Sequence, residues 1–237
     1  MTSVGLTSVG PLARRAAGFV SRHRWSVPLS LSSTVSLLYL ENEISDGDVD
    51  SIDAVAAGVV HGWRGSMDGV MLACTQLGGG VGMAVVSFAV VAALIIKQRR
   101  RTALFMAIAA LGTLALSSGL KLLFHRARPA DLDYLIQIPS SFSFPSGHAM
   151  GSMGVLASTV VVLYAVRAPR LLRTIATLII GLFVFGVALS RVYFGVHYPS
   201  DVVGGQLAAA AWVSVLTGWF YPRLFPGEET LEPAPSP

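Results

Sequence analysis

Long apolar runs, separated by short polar segments, organise the chain. Six runs predict membrane-spanning helices, at about residues 25–40, 81–96, 103–120, 147–166, 174–190 and 202–221. Most approach the length of about 20 residues that crosses a bilayer as a helix, and the first, short and rich in serine, is near the lower limit of about 17. The pattern predicts an all-α integral membrane protein with six transmembrane helices.

Basic residues orient this bundle. Clusters precede the first run, follow the second at 97–101 and separate the fourth from the fifth at 167–173, and Arg223 follows the sixth. All of them lie on one side of a six-span chain, which the positive-inside rule assigns to the cytoplasm. The acidic segment 41–53 then lies outside. The chain is therefore predicted to be a multi-pass protein of the plasma membrane.

Three regions follow from this topology. Residues 1–24 are predicted to be a cytoplasmic N-terminal segment, and 25–222 the six-span domain. Residues 223–237, rich in proline and glutamate, are predicted to be a disordered cytoplasmic tail because they hold too few apolar side chains to form a core.

Composition supports a membrane protein. Hydrophobic residues make up 53% of the chain and charged residues 13%, against about 25% charged in soluble domains. The net charge of +4 does not indicate a nucleic-acid partner, because the basic residues form short clusters between apolar runs. The single cysteine, Cys74, excludes an intramolecular disulfide and is expected to pack in an apolar segment.

Three motifs stand next to the ends of the predicted spans. They are Lys121-x6-Arg128-Pro129, Pro145-Ser146-Gly147-His148 and Ser190-Arg191-x5-His197-x3-Asp201. The predicted topology places all three at the extracytoplasmic ends of spans three to six. Basic residues there break the positive-inside rule, which indicates a chemical role.

The basic residues in these motifs suit a phosphate. Arg128 and Arg191 offer planar forks that match phosphate oxygens, and Lys121 adds a point charge. Lys121 and Arg128 are about two helical turns apart, so a continuing helix would point both the same way. Ser146 and Gly147 open span four, where free backbone N–H groups form an anion site.

Two histidines and an aspartate suit group transfer. A neutral imidazole can act as a nucleophile, and a protonated one can donate to a leaving oxygen. Asp201 is expected in the first turn of span six, hydrogen-bonded to one imidazole nitrogen of His197. That contact would leave the other nitrogen free to attack, as in a Ser-His-Asp triad.

Together the three motifs resemble those of the type 2 phosphatidic acid phosphatase superfamily, which includes lipid phosphate phosphatases, undecaprenyl-diphosphate phosphatases and vanadium haloperoxidases. The resemblance implies that His197 forms a phosphohistidine, that Asp201 orients it and that His148 is the general acid. It also implies a set of phosphate-binding residues, namely Lys121, Arg128, Ser146, Gly147 and Arg191. It implies no metal and no other cofactor.

The remaining polar residues receive structural roles. The acidic cluster 46–53 is interpreted as a solvated loop remote from the motifs. Four residues within the motifs match no defined position and are interpreted as mainly structural, with substrate contact as the alternative, namely His125, Arg126, Tyr193 and Tyr198. Asp131 and Asp133, in the loop before Pro139, are candidates for rim residues that shape access to the site.

The expected function is metal-independent hydrolysis of a lipid phosphate or diphosphate that reaches the site from the outer leaflet. Isoprenoid diphosphate, phosphatidate and phosphatidylglycerol phosphate present the same head group, and the sequence does not choose among them. Two alternatives stay open: a lipid phosphotransferase that uses the same intermediate, and a non-catalytic membrane transporter. The sequence assigns no oligomeric state.

Overall fold

A computed structural model describes residues 25–129, 136–137 and 140–225. These residues form eight helices and no strand, which confirms the all-α prediction for the described part of the chain. The helices are α1 (Ser26–Asp46), α2 (Asp50–His61), α3 (Asp68–Leu77), α4 (Gly80–Ile96), α5 (Arg100–Phe124), α6 (Gly147–Ala165), α7 (Arg170–Tyr193) and α8 (Pro199–Leu224). The predictions for residues 1–24, for Asp131 and Asp133, and for the tail beyond 225 lie outside the described residues.

Four of these helices, α5 to α8, are long and apolar enough to cross a membrane. The pair α3 and α4, bent by 52° at a short break, makes a fifth candidate. The predicted first span does not meet the same criterion. Its helix, α1, continues to Asp46 and carries Glu41 and Glu43 in a region that was predicted to be a loop. The described helices therefore support four or five spans where six were predicted.

Helix α2 turns its polar side inward. The apolar stripe of Ile52, Val55 and Val59 is exposed, whereas Asp53 is only 3% exposed and Val60 is also buried. Asp53 and Val60 are seven residues apart and so lie on one face of the helix. The interpretation of the whole acidic segment as a solvated loop is therefore wrong, because one of its carboxylates is packed into the bundle.

Helix α6 is the centre of the bundle and contacts α4, α5, α7 and α8. Small residues bring the helices close, as is common in membrane bundles. A Cβ at Gly154 would lie 2.4 Å from Thr113 Oγ1, and one at Gly204 would lie 2.3 Å from the Phe144 ring. Large apolar side chains on the outer faces, such as Leu182 of α7, stay exposed and suit a lipid environment.

The ends of α5 to α8 gather the motifs. Consecutive helices run in opposite directions, so the end of α5 and the start of α6 share a level with the end of α7 and the start of α8. Helix α5 ends at Phe124, and His125 follows in the left-handed conformation with φ 51°. Lys121 and Arg128 are therefore not on one continuous helix, contrary to the reason given for their convergence.

We expect the motif-bearing end of the bundle to face away from the cytoplasm. Reporter tags at Arg100 and at Arg170, which start α5 and α7 at the opposite end, should be cytoplasmic. A tag at Asp48, between α1 and α2, should be extracytoplasmic, because the basic clusters are retained inside. Accessibility to a membrane-impermeant reagent measures this, and Asp48 and Arg100 on the same side would contradict it.

Candidate active site

His197 and Asp201 form a buried pair where α7 connects to α8. His197 lies in the connection and is 3% exposed, and its Nδ1 is 3.3 Å from Asp201 Oδ2. Pro199 starts α8, and the Asp201 carboxylate in its first turn accepts the backbone N–H of Tyr198 at 2.9 Å. This capping arrangement fixes the carboxylate at the helix N-terminus. The contact expected between Asp201 and His197 is therefore present.

The second nitrogen of His197 faces a cation. Nε2 lies 3.1 Å from Arg128 Nη1, which donates to it when Nδ1 carries the proton. Burial lowers the pKa of His197 to about 4; Asp201 opposes this shift, and Arg128 and Arg191 reinforce it. The imidazole is thus neutral at physiological pH, and Nε2 keeps a lone pair.

Ser143 is a third partner of this pair, and sequence reasoning missed it. It is fully buried, and its hydroxyl donates to Asp201 Oδ2 at 2.5 Å and lies 3.3 Å from His197 Nδ1. It stands two residues before Pro145, the first residue of the second motif, so its nearness to that motif was the available signal. Several other serines stand close to it in the sequence, and residue type alone does not distinguish a buried serine hydroxyl from an exposed one.

Two of the predicted phosphate-binding cations converge on the segment 141–143. Lys121 Nζ donates to the carbonyl oxygen of Phe142 and, at 3.3 Å, to that of Ser143. Arg128 Nε donates to the carbonyl of Ser141 at 2.8 Å, and its Nη1 to that of Val196 at 2.6 Å. Backbone carbonyls thus hold both side chains beside His197.

Arg191 and Ser146 carry buried polar atoms with no hydrogen-bond partner. Arg191 is 2% exposed; its Nη1 donates to the hydroxyl of Thr75 on α3, but its Nε has no partner. Ser146, directly before α6, is fully buried, and its hydroxyl also has none. Because buried polar groups are nearly always hydrogen-bonded, these exceptions mark a place for a ligand with acceptor oxygens.

His148 lies in the first turn of α6, close enough for electrostatic interaction with His197 and with three cations. The cations are Arg191, Arg128 and Lys121. A Cβ built on Gly79 would lie 3.2 Å from His148 Nε2, so the glycine lets α4 approach the imidazole closely. The structure therefore brings the predicted catalytic and phosphate-binding residues together at one end of the bundle.

An apolar cavity of about 520 Å³ opens beside His148. It lies between α4, α5 and α6, and Gly147 and Ser117 line it together with His148. Apolar side chains such as Phe88 and Leu111 line the rest. His148 thus stands where the polar site meets an apolar channel along the spans.

Arg126 and Asp53 extend the polar network beyond the motifs. Arg126 Nη1 donates to Asp201 Oδ1 at 2.8 Å, and its Nη2 to Asp53 Oδ2 at 3.0 Å. The guanidinium carbon lies 4.2 Å from the centre of the Tyr198 ring. Arg126 thus contacts Asp201 directly and lies over the Tyr198 ring. Asp53 was missed, because it stands among acidic residues that are mostly exposed.

The chain is similar to three curated proteins named for lipid phosphates. It is 30% identical over 128 residues to the undecaprenyl-diphosphatase of Sulfolobus acidocaldarius, covering 52% of this chain and 57% of that protein. It is 39% identical over 93 residues to phosphatidylglycerophosphatase B of Bacillus subtilis, covering 38% and 44%. It is 35% identical over 125 residues to the decaprenylphosphoryl-5-phosphoribose phosphatase of Mycolicibacterium smegmatis, covering 51% and 61%. The chain thus spans about half the length of these relatives.

A solved structure has a similar fold. It is the crystal structure of a transmembrane PAP2 type phosphatidylglycerolphosphate phosphatase from Bacillus subtilis, with a TM-score of 0.72 and 27% identity. The similarity covers 81% of this chain and 95% of the other. It supports a multi-pass membrane protein built on this helical bundle.

The family comparison covers the site itself. The model of the PAP2 superfamily matches residues 102–225, which is more than half of the chain. This range contains all three motifs and every predicted site residue. The chain belongs to the PAP2 superfamily.

Proposed function

We propose that this protein hydrolyses a phosphate or diphosphate carried by a membrane lipid, without a metal, through a phosphohistidine on His197. One observation carries the proposal. The buried imidazole is held through Nδ1 by Asp201, and its Nε2 faces the cation Arg128. Arg191 Nε and the hydroxyl of Ser146, in the same site, have no hydrogen-bond partner. A nucleophile is thus directed at a place that suits an anion.

Phosphate binding would also release the nucleophile. Arg128 donates to Nε2 and so occupies the lone pair that must attack. Phosphate oxygens accept from a guanidinium more strongly than a neutral imidazole does. Substrate would therefore draw Arg128 onto its oxygens and free Nε2 for the phosphorus.

In the first step Nε2 bonds to phosphorus, and the bond from phosphorus to the lipid oxygen breaks. The Nδ1–H stays hydrogen-bonded to Asp201, which stabilises the positive charge that forms on the imidazole. His148 donates a proton to the leaving oxygen. In the second step water attacks phosphorus, His148 takes a proton from it, and phosphate leaves His197. Lys121, Arg128 and Arg191 would stabilise the charge on the transferring group in both steps.

The apolar cavity supports a lipid substrate. It begins at His148, where the leaving oxygen would stand, and continues between α4, α5 and α6 among apolar side chains. A lipid chain attached to that oxygen would enter this space. Isoprenoid diphosphate, phosphatidate and phosphatidylglycerol phosphate all meet this description, and the names of the relatives cover both isoprenoid and glycerolipid phosphates.

The distribution of basic residues supports a site at the extracytoplasmic face of the plasma membrane, because Arg100 and Arg170 start α5 and α7 at the opposite end of the bundle. Substrate would then come from the outer leaflet. Transfer of the phosphoryl group to an acceptor lipid would use the same intermediate. An assay that follows both free phosphate and phosphorylated lipid separates hydrolysis from transfer.

We expect substitutions of the two histidines to have different effects on activity. With a chelator present, the wild type should release phosphate from lipid phosphates and His197→Ala should not. Asp201→Asn should reduce turnover by about 10³–10⁴, by analogy with the triad aspartate. His148→Ala should keep activity on an activated aryl phosphate, whose leaving group needs no proton. Acid-labile phosphoenzyme should form in the wild type and be absent from His197→Ala.

The roles would be reversed if His197→Ala formed phosphoenzyme and His148→Ala did not. Loss of wild-type activity in the chelator, restored by added magnesium, would contradict the metal-independent mechanism. A properly folded wild type that releases no phosphate from any of the three lipid classes would contradict hydrolysis itself.

Substitutions of two glycines test whether the apolar cavity accepts the lipid chain of the substrate. Gly151 lines the cavity beside His148, whereas Gly181 lines a second groove of about 380 Å³ at α7. A Cβ at either glycine meets open space. Gly151→Phe should lower kcat/KM for a long-chain lipid phosphate by about 10- to 200-fold, the range for a hydrophobic mismatch. It should leave kcat/KM for a short, water-soluble phosphate unchanged.

The matched control, Gly181→Phe, should leave both substrates unaffected. Equal losses on long and short substrates in Gly151→Phe would show damage to the site and not exclusion of a lipid chain. An unchanged long-chain kcat/KM in that variant would remove the cavity from the proposal.

His197 should stay neutral far below the ordinary range of histidine. Its folded-state pKa of about 4 lies below the value of about 6.5 in a free chain. Burial of the neutral ring therefore contributes stability above pH 6.5, and this contribution is lost as pH falls towards 4. Nitrogen NMR of histidine-labelled protein, with His197→Gln for assignment, measures the titration. A midpoint near 6.5 would contradict a buried, neutral nucleophile.

A further inference from the structure

Asp53 is a buried carboxylate outside the segment that matches the family. It lies on α2, ahead of residues 102–225, and is 3% exposed. Carboxylates are almost never fully buried unless they are paired. Asp53 has two partners: Oδ1 accepts the backbone N–H of Ser200 at 2.8 Å, and Oδ2 accepts the Ser200 hydroxyl at 2.5 Å and Arg126 Nη2 at 3.0 Å.

Both partners lead to Asp201. Ser200 precedes Asp201 in the first turn of α8, so its bond to Asp53 anchors the turn that carries the carboxylate. Arg126 uses one side of its fork on Asp53 and the other on Asp201, whose second oxygen faces His197 Nδ1. A planar guanidinium is suited to fix two carboxylates at set positions.

The charge of Asp53 changes the net charge of the group that contacts His197. If Arg126 were paired with Asp201 alone, the pair would be neutral and would offer little stabilisation to a cation on His197. With Asp53 included, one guanidinium, only 11% exposed, stands between two buried carboxylates, and the group carries one net negative charge. Interactions between charges are strong in such a water-excluded place. The positive charge that develops on His197 as it attacks phosphorus is therefore favoured by the second carboxylate.

We propose that Asp53 is a positioning residue for the nucleophile: through Arg126 and Ser200 it holds Asp201 against His197 and leaves Asp201 its negative charge for the imidazolium. The proposal rests on the hydrolytic function proposed above. It assigns a role in turnover to a helix that the family match does not include.

Helix α2 also supplies a matched control. Asp50 lies one turn earlier, and its Oδ1 is 3.9 Å from Arg126 Nη2, but its side chain is 73% exposed. An exposed ion pair contributes little because water screens it. Asp50→Asn should therefore keep wild-type turnover, whereas Asp53→Asn removes the buried charge with almost no change in size.

Asp53→Asn should lower kcat by about 10- to 100-fold, the usual cost of losing a group that orients an active-site ligand, with KM unchanged. Two inhibitors should separate an effect on the basicity of His197 from an effect on anion binding by the cations. Vanadate accepts the lone pair of a histidine nitrogen and becomes five-coordinate, so its inhibition constant should rise together with the loss in kcat. Inorganic phosphate binds the cations without a bond to Nε2, so its inhibition constant should stay as in the wild type.

A general loss of structure would weaken vanadate and phosphate alike, and that result in Asp53→Asn would overturn the proposal. If the single variant fails to fold, the double variant Asp53→Asn/Arg126→Gln removes the bridge while Asp201 keeps its own negative charge and its bonds from Ser143 and Tyr198. It should show a reduced kcat and a selective loss of vanadate affinity, both no larger than in Asp53→Asn, because the positioning of Asp201 is lost but its charge is not. Wild-type turnover in either variant would overturn the proposal.

Different outcomes contradict the role of Asp53 and the hydrolytic function. If the wild type and Asp50→Asn hydrolyse lipid phosphate and Asp53→Asn does so equally well, only the role of Asp53 is lost. If the wild type releases no phosphate, the hydrolytic function itself is lost.

Discussion

The carboxylate of Asp201 is the contact on which the candidate site depends. It is completely buried and receives hydrogen bonds from four groups in three segments of the chain. These are the imidazole of His197, the hydroxyl of Ser143, the guanidinium of Arg126 and the backbone N–H of Tyr198. A buried carboxylate is costly unless its lone pairs are satisfied. The segments that satisfy it are therefore held together, and they are the segments that carry the site.

Burial also costs free energy for the three cations of the site. Lys121, Arg128 and Arg191 come together at the ends of apolar helices, where like charges repel and water is partly excluded. Carbonyl oxygens of residues 141–143 and the hydroxyl of Thr75 accept from them. An arrangement that is already held needs little reorganisation when a phosphate takes over some of these bonds. The unpartnered Nε of Arg191 and hydroxyl of Ser146 show that the carbonyls do not satisfy the site completely.

Much of this structure could be predicted from the sequence. Apolar periodicity placed α4 to α8 within a few residues of their observed bounds, and the alternation of spans brought the three motifs to one end. Predictions were weaker where a side chain's partner is distant in sequence. Ser143, Thr75 and Asp53 have ordinary local surroundings, and only the folded chain shows which polar group they contact.

Helix α2 illustrates the physical reason. Its apolar residues recur at helical spacing, which in a soluble protein would mark the buried face. In a membrane protein lipid can cover that face, and the polar face can turn towards other polar groups inside the bundle. Ile52 and Val59 are exposed while Asp53 is buried. Periodicity therefore indicates a helix here but does not say which of its faces packs against the protein.

Different parts of the chain contribute to the chemistry and to its surroundings. The segment that matches the PAP2 superfamily, 102–225, supplies both histidines, Asp201 and the three cations. The helices before it supply Thr75 against Arg191, Gly79 against His148 and one wall of the apolar cavity. The family match over 102–225 therefore covers the residues to which the proposal assigns the phosphate chemistry. The shape of the apolar cavity depends equally on α4, which lies outside that match, so under the proposed function the choice of lipid is set partly by residues that the match does not include.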